Sequence, residues 1–251
     1  MAKQGEIDYL RQIGEEGVEH AVNKPFSDQH CAGNLMQMGA LMALLPPPPA
    51  RLLDVGCGTG WTSVFFARHG YEVVGVDISP DMIFHANRMK EKHEIANLEF
   101  MVADYEAMPF ANAFDCAVFY DSLHHAVDEI EAVRMVHRAL RPGGVCLTSE
   151  PGKGHGRNEA VAALAKEYNV TEKDMPPKKI RRIGKHVGFR AFQVFPHAGD
   201  LKQSIYATEA GTRLHRLTAK AGPLGLLVLK AFTFYVLFFP TQRKSIVKMV
   251  K

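Results

Sequence analysis

The amino-acid sequence predicts an α/β protein with a doubly wound, mostly parallel sheet that carries helices on both faces. Two observations support this prediction. From residue 51 onward, apolar runs of strand length alternate with helical patterns, and an acidic residue stands at or near the end of each run. Strands joined by helix-length crossovers form right-handed βαβ units, so the strands should lie parallel with both faces covered.

Five apolar runs predict the parallel strands, and two helical patterns predict crossover helices. The runs span 51–55, 72–76, 98–102, 114–120 and 145–149, and the helical patterns span 79–92 and 127–140. Ser79 followed by Pro80 is a typical helix start, and the turn at Pro142-Gly143-Gly144 should end the second helix before the fifth strand. An earlier helical stretch, residues 34–45, should end at the four consecutive prolines of 46–49.

Composition and charge exclude several classes of protein. The 251 residues are 47% hydrophobic, carry a net charge of +3 and contain no run of five like charges, so we expect no nucleic-acid partner. The four cysteines (31, 57, 116 and 146) stand far apart, which argues against a zinc ribbon or a disulfide framework. A reducing, cytoplasmic compartment is therefore expected. The charged N-terminus lacks the apolar core of a signal peptide.

Residues 54–61, DVGCGTGW, predict a glycine-rich turn after the first strand, at the edge where ligands of such sheets bind. A dinucleotide-binding turn has the pattern Gly-x-Gly-x-x-Gly, whose third glycine permits close packing of helix and strand. Here the third glycine, Gly60, comes one residue early, and the bulky Trp61 stands where a small residue would be needed. The turn therefore argues against a nicotinamide-dependent oxidoreductase.

The Asp-x-Gly-x-Gly-x-Gly pattern of residues 54–60 is similar to the glycine motif of class I S-adenosylmethionine-dependent methyltransferases. The resemblance covers roughly residues 50–150 and includes VVGVDIS (73–79), MVADYEAMPF (101–110), FDCAVFYDSLHH (114–125) and LRPGG (140–144). It implies a Rossmann-like sheet of seven strands, with a sixth strand at 187–197 and an antiparallel last strand at 243–251. The expected regions are a helical cap (1–50), a cofactor-binding core (51–198), an apolar insertion (199–240) and the final core strand (241–251).

The resemblance implies that S-adenosylmethionine is the cofactor and that polar strand ends hold it. Asp54 would bind the ammonium group of the methionine part, Asp77 both ribose hydroxyls, and Asp104 the adenine amino group. The expected cofactor-binding residues are Asp54, Gly56, Cys57, Gly58, Gly60, Asp77, Ile78, Met82, Asp104, Tyr105, Tyr120 and Asp121. Helix capping and turn formation are the alternative explanation of the aspartates.

His124 and His125 follow the fourth strand and are the expected catalytic residues, because imidazole can take a proton from a hydroxyl acceptor near working pH. A structural role for both is the alternative. Glu150 and His155, after the fifth strand, are the next candidates. We expect no metal site, because Asp121 lacks a neighbouring Asp-Asn pair and magnesium prefers carboxylate ligands to imidazole.

These patterns predict a methyltransferase for a small or lipid-like acceptor, with oxygen as the expected acceptor atom. The alternative is a non-catalytic, cofactor-binding regulatory or scaffold domain. The apolar segment 222–240 has Lys230 near its middle and lies between two predicted strands of one sheet, so we expect no membrane span. A lid over an apolar acceptor, a homodimer contact and a membrane-touching surface are the open interpretations of this segment.

Overall fold

The structure of the protein, a computed structural model, describes residues 2–199, 216, 222–225, 227–228, 230–231, 234–235 and 244–251. Within these residues the strands are β1 (Arg51–Val55), β2 (Glu72–Asp77), β3 (Leu98–Val102), β4 (Phe114–Tyr120), β5 (Leu140–Glu150), β6 (Ala191–Pro196) and β7 (Ser245–Val250). The longer helices are α1 (Ala2–Gln12), α2 (Gly14–Val22), α3 (Cys31–Leu44), α4 (Trp61–Arg68), α5 (Pro80–Lys92), α6 (Glu129–Ala139), α7 (Glu159–Tyr168) and α8 (Pro177–Val187).

The strands form one seven-stranded sheet in the order β3-β2-β1-β4-β5-β7-β6. Strands β1 to β5 are parallel to one another, and β7 runs antiparallel between β5 and β6. The predicted fold class is confirmed, including the antiparallel last strand. The predicted sixth strand starts too early, because Val187 still belongs to α8 and pairing with β7 begins at Ala191.

The fifth strand is longer than the predicted range of 145–149. It begins at Leu140, directly after α6, where Leu140 pairs with Phe114 of β4. The register then shifts, and Gly143 adopts a left-handed conformation with φ 79° within the irregular stretch 141–144. The Pro-Gly-Gly segment therefore interrupts the strand as a bulge, where the sequence had predicted a turn before it.

Helices cover both faces of the sheet, which explains why its strands are almost continuously hydrophobic. On one face, Val133 of α6 and Ile183 of α8 belong to a buried cluster with apolar side chains of the strands. On the other face, Met38 of α3 and Phe66 of α4 belong to a second buried cluster. These two layers hold the carboxyl ends of the parallel strands in fixed positions.

The N-terminal helices divide into two groups. Helix α3 packs into a core layer through Met38 and Leu41. Helices α1 and α2 accept hydrogen bonds, through their backbone carbonyls, from residues just after β2 and β1. Ser79 donates its hydroxyl to the carbonyl of Ile7 in α1, at 2.9 Å. Helices α1 and α2 thus form a roof over the carboxyl edge of the sheet. The predicted division of the chain into four regions stays a prediction.

Most of the predicted apolar insertion, 199–240, lies outside the described residues. Those described between 222 and 235 are helical, and Leu224, Leu227 and Phe234 among them have exposed side chains. Within the described part of the chain, no helix is long and apolar enough to cross a membrane.

Glu129, the first residue of α6, fixes the segment 169–176 that joins α7 to α8. Its carboxylate oxygens accept from Nζ of Lys173 and of Lys179, each at 2.7 Å. Burial acts to raise the pKa of Glu129, but the two ammonium groups outweigh it and lower this pKa to about 2. The ionised carboxylate therefore stabilises the folded state above a pH of about 4.5, and this contribution is lost as the pH falls through about 2.

We expect Glu129→Gln to lower the free energy of unfolding by about 1–2 kcal/mol at neutral pH, a modest value because solvent screens the partly exposed lysines. Urea unfolding at a pH of about 7 and of about 3 measures this difference, which should shrink at the lower pH. Glu91→Gln, the same substitution at an exposed position of α5, is the control. An equal difference at both pH values would contradict the assigned role of the carboxylate.

Candidate functional site

A cavity of about 490 Å³ opens at the carboxyl ends of β1, β2 and β4. The glycine-rich turn after β1 forms its floor, α1 and α2 form its roof, and the end of α7 with the segment after it closes one side. The predicted site residues that line it are Gly56, Cys57, Gly58, Asp77, Ile78, Met82, Tyr105, Tyr120, Asp121 and His125. The predicted site residues that do not line it are Asp54, Gly60, Asp104 and His124.

The glycines of the turn serve two different purposes. Gly58 has φ 54°, and the space where a Cβ would stand is open, so its backbone faces the cavity directly. At Gly60 a Cβ would lie 2.6 Å from Cζ of Phe100, so this glycine permits close packing behind the turn. Within the predicted turn, Gly58 therefore faces the cavity, whereas Gly60 lets the turn pack closely against Phe100.

Asp77, the last residue of β2, is held by the turn that it faces. Its Oδ2 accepts from the backbone N–H of Gly58 at 2.9 Å, and its Oδ1 accepts from that of Ser79 at 2.9 Å. Burial raises the pKa of Asp77, opposed by these two bonds. A carboxylate has about four acceptor sites, so the side chain can still accept hydrogen bonds from a ligand.

Two predicted aspartates have partners within the protein. Asp54 lies buried beneath the turn, where its Oδ2 accepts from the hydroxyls of Thr62 and Ser63, each at 2.6 Å. Burial raises the pKa of Asp54 to about 6, against the effect of these two bonds. Asp104 bonds to Nζ of Lys3 in α1 at 2.6 Å. The predicted contacts of Asp54 with an ammonium group and of Asp104 with adenine stay predictions.

Aromatic side chains form the wall above the turn. The Trp61 ring meets that of Tyr120 edge to face, with centroids 5.3 Å apart, and both line the cavity. Tyr105 donates its hydroxyl to the carbonyl of Ser122 at 3.1 Å. Burial raises the pKa of the Cys57 thiol well above its usual value, so this cavity-lining cysteine is a poor nucleophile.

Glu150, at the end of β5, organises the turn that carries the two predicted catalytic histidines. Its carboxylate is almost fully buried and accepts from the backbone N–H groups of Ser122, Leu123 and His124. It also bonds to Nδ1 of His124 at 2.7 Å. His124 is thus a buried residue behind the cavity wall, and its neighbour His125 is the one that faces the cavity.

His125 lies among carboxylates from distant parts of the chain. Its Nδ1 lies 2.8 Å from the carbonyl of Thr171 and 3.6 Å from Oε1 of Glu6 in α1. Burial acts to lower the pKa of His125, but the charges of Glu6, Glu172 and Glu150 outweigh burial and raise this pKa to about 9. The corner of the cavity around His125 therefore favours positive charge.

Glu172 is the main residue of this corner that the sequence analysis missed. Its Oε2 lies 2.7 Å from Nε2 of His155 and 3.4 Å from Nε2 of His124. Glu6 of α1 accepts from the backbone N–H of Thr171 at 2.8 Å, which joins the roof to this segment. No local pattern marks Glu6 or Glu172, because contacts between separate segments of the chain bring them to the histidines.

Comparison with known proteins gives a consistent result. Residues 52–144 match the sequence profile of a family described as a methyltransferase domain. A malonyl-(acyl-carrier protein) O-methyltransferase of Enterobacter lignolyticus is 38% identical over 48% of this chain and 47% of its own length. A ubiquinone biosynthesis O-methyltransferase of Xanthomonas axonopodis pv. citri is 32% identical over 53% of this chain and 54% of its own. The chain thus spans about half the length of these curated relatives.

A solved structure supports the same fold. The phosphoethanolamine N-methyltransferase 2 of Haemonchus contortus, in complex with S-adenosyl-L-methionine, superposes with a TM-score of 0.66 at 21% identity. The superposition covers 97% of this chain and 59% of that one. Residues 52–144 therefore match a methyltransferase domain, and the seven-stranded sheet around them has the fold of class I S-adenosylmethionine-dependent methyltransferases.

Proposed function

We propose that the chain transfers the methyl group of S-adenosylmethionine to an oxygen atom of a small, largely apolar acceptor. The observation that carries this proposal is the arrangement of the cavity. The turn with Gly58 and Asp77, which we call the cofactor end, and the corner with His125 and Glu172, which we call the acceptor end, line the same cavity. One chamber can therefore hold the cofactor and an acceptor side by side.

The cofactor end suits the adenosine and methionine parts. Asp77 retains free acceptor sites for ribose hydroxyls, and Ile78 and Met82 offer apolar contacts to the adenine ring. The backbone beside Gly58 and the carboxylate of Asp121 face the same space. These features support the predicted binding residues.

The acceptor end supports a small and partly apolar substrate. Its wall contains Tyr9 and Tyr168, whose rings meet edge to face at 5.5 Å, together with Leu164 and Val170. The curated O-methyltransferases that match about half of the chain support oxygen as the acceptor atom.

The reaction that we propose is an in-line displacement. A lone pair of the acceptor oxygen forms the new C–O bond while the C–S bond breaks and its electron pair returns to sulfur. Charge disperses in this transition state, so alignment and exclusion of water can supply much of the rate. A hydroxyl acceptor must also lose its proton, and Glu172 offers a carboxylate for it at the cavity wall. His125, whose pKa is raised to about 9, can accept a proton only in its neutral form, so turnover should rise as the pH approaches about 9.

The four cysteines are free thiols, which supports a reducing, cytoplasmic setting.

The apolar segment 222–240 is proposed as a lid on the acceptor side. We expect the full chain to purify from the soluble fraction without detergent. A need for detergent that disappears when 222–240 is replaced by a short linker would favour a membrane-touching segment and contradict the lid.

We expect Asp77→Ala to weaken binding of S-adenosylhomocysteine about ten- to a hundredfold, because hydrogen bonds to a charged acceptor contribute about 1.5–3 kcal/mol. Isothermal titration calorimetry on the folded variant measures the change. Asp8→Ala, which removes a half-buried carboxylate of α1 that bonds to Gln4 and lies 3.8 Å from the Arg11 guanidinium, is the control. Unchanged affinity in Asp77→Ala would remove this carboxylate from the cofactor site.

We expect His125→Gln to lower turnover by about 10²–10⁴-fold while leaving affinity for S-adenosylhomocysteine unchanged. The assay is a panel of small phenolic, enolic and carboxylic acceptors, with formation of S-adenosylhomocysteine as the readout. His186→Gln, an exposed position of α8, is the control. No turnover with any acceptor, from a wild-type protein that binds the cofactor, would favour the non-catalytic alternative.

A further inference from the structure

Three side chains from two segments of the chain converge beside the acceptor end of the cavity. His124 and His125 lie in the turn after β4, and Glu172 lies in the segment between α7 and α8. One ligand atom of each lies within 4.8 Å of the others. We propose that His124, His125 and Glu172 bind one divalent transition-metal ion, although the sequence patterns predicted no metal site.

The hydrogen bond of His124 fixes which of its nitrogens faces this site. Its Nδ1 lies 2.7 Å from Oε2 of Glu150, a carboxylate that already accepts three backbone N–H groups. The Nδ1 atom therefore carries the proton, and Nε2 presents its lone pair toward Glu172. A histidine whose far nitrogen donates to a buried carboxylate is the usual arrangement behind a metal ligand.

His125 is fixed in the same way by a different partner. Its Nδ1 lies 2.8 Å from the carbonyl oxygen of Thr171, which can only accept. This Nδ1 must donate, so Nε2 is the nitrogen left for a cation. Backbone carbonyls are the second common partner of metal-binding histidines. Both rings thus donate from Nδ1 to a fixed acceptor, and their centroids lie 4.0 Å apart with the ring planes tilted by 39°.

The third side chain is held as well. Nε2 of His155 lies 2.7 Å from Oε2 of Glu172 and can orient this carboxylate. The same oxygen lies only 3.4 Å from Nε2 of His124. Because Nδ1 of His124 donates to Glu150, the lone pair of its Nε2 faces a carboxylate oxygen, and a cation between the two atoms would relieve their repulsion. That cation is either a proton or a metal ion.

The donor set selects the class of metal. Two imidazoles and one carboxylate suit Fe²⁺, Mn²⁺, Co²⁺ or Zn²⁺, whereas magnesium would require mostly oxygen ligands. Glu6 and Glu150 add negative charge around the ligands. Three protein ligands leave coordination positions open, and His125 and Glu172 line the cavity, so an open position would face the acceptor.

The metal site does not depend on the proposed methyl transfer. A ring nitrogen that holds a metal cannot take a proton at the same time. In the metal-loaded protein, an acceptor hydroxyl at an open position would lose its proton more readily, because a bound divalent cation lowers the pKa of a coordinated hydroxyl.

Cobalt is the best probe, because Co²⁺ bound to imidazole and carboxylate gives visible absorption bands. The full chain, freed of any histidine tag and of trace metal by chelation, is titrated with Co²⁺ and then with Zn²⁺ in competition. We expect about one Co²⁺ per chain, displaced by Zn²⁺, with binding weakened at least about tenfold in Glu172→Gln. His155→Gln should weaken binding about ten- to a hundredfold through the orientation of Glu172.

Glu91→Gln and His186→Gln, both exposed positions outside this cluster, are the matched controls and should bind as the wild type does. Absence of stoichiometric Co²⁺ binding, or binding that Glu172→Gln and His125→Gln leave unchanged, would overturn the site and assign the contact between His124 and Glu172 to a proton. Stoichiometric binding without any methyl transfer would overturn the proposed function alone, and methyl transfer without metal binding would overturn the metal site alone.

Discussion

The buried carboxylate of Glu150 is the interaction on which the site depends. It ends β5 and accepts three backbone N–H groups of residues 122–124, together with Nδ1 of His124. Hydrogen bonds to a charged acceptor contribute about 1.5–3 kcal/mol each, and an unpaired buried carboxylate would cost several kcal/mol. The turn after β4 therefore has one favourable conformation, in which His124 points inward and His125 points into the cavity.

The two parts of the cavity lining, the proposed cofactor end and the proposed acceptor end, are stabilised in different ways. At the cofactor end, neutral groups bind the carboxylates, since Asp77 accepts from backbone N–H groups and Asp54 from two hydroxyls. At the acceptor end, Glu172 faces imidazoles. Backbone N–H groups and hydroxyls hold an ionised side chain in place without supplying a titratable proton, whereas the carboxylates around His125 outweigh its burial and raise its pKa to about 9. The part of the lining around His125 thus favours positive charge.

The sequence predicted the sheet, the glycine-rich turn and Asp77, because each follows from neighbouring residues whose spacing carries the information. It placed the start of the fifth strand five residues late, since a bulge at Gly143 is indistinguishable from a turn by composition. It also missed Glu172 and the contact of Lys3 with Asp104. Those contacts join residues far apart in the chain, and no local period or motif encodes them.

The difference between local motifs and contacts of distant residues also indicates where the proposed acceptor specificity can change. The described residues of the cofactor end come mostly from 54–122, one compact stretch around the turn. The acceptor corner combines α1, the turn after β4 and the segment 169–176, which Glu129 ties to the core through Lys173. Substitutions in α1 or in that segment reshape the corner while the glycine-rich turn stays intact. A fold of this kind therefore keeps one cofactor and accommodates different acceptors through its variable segments.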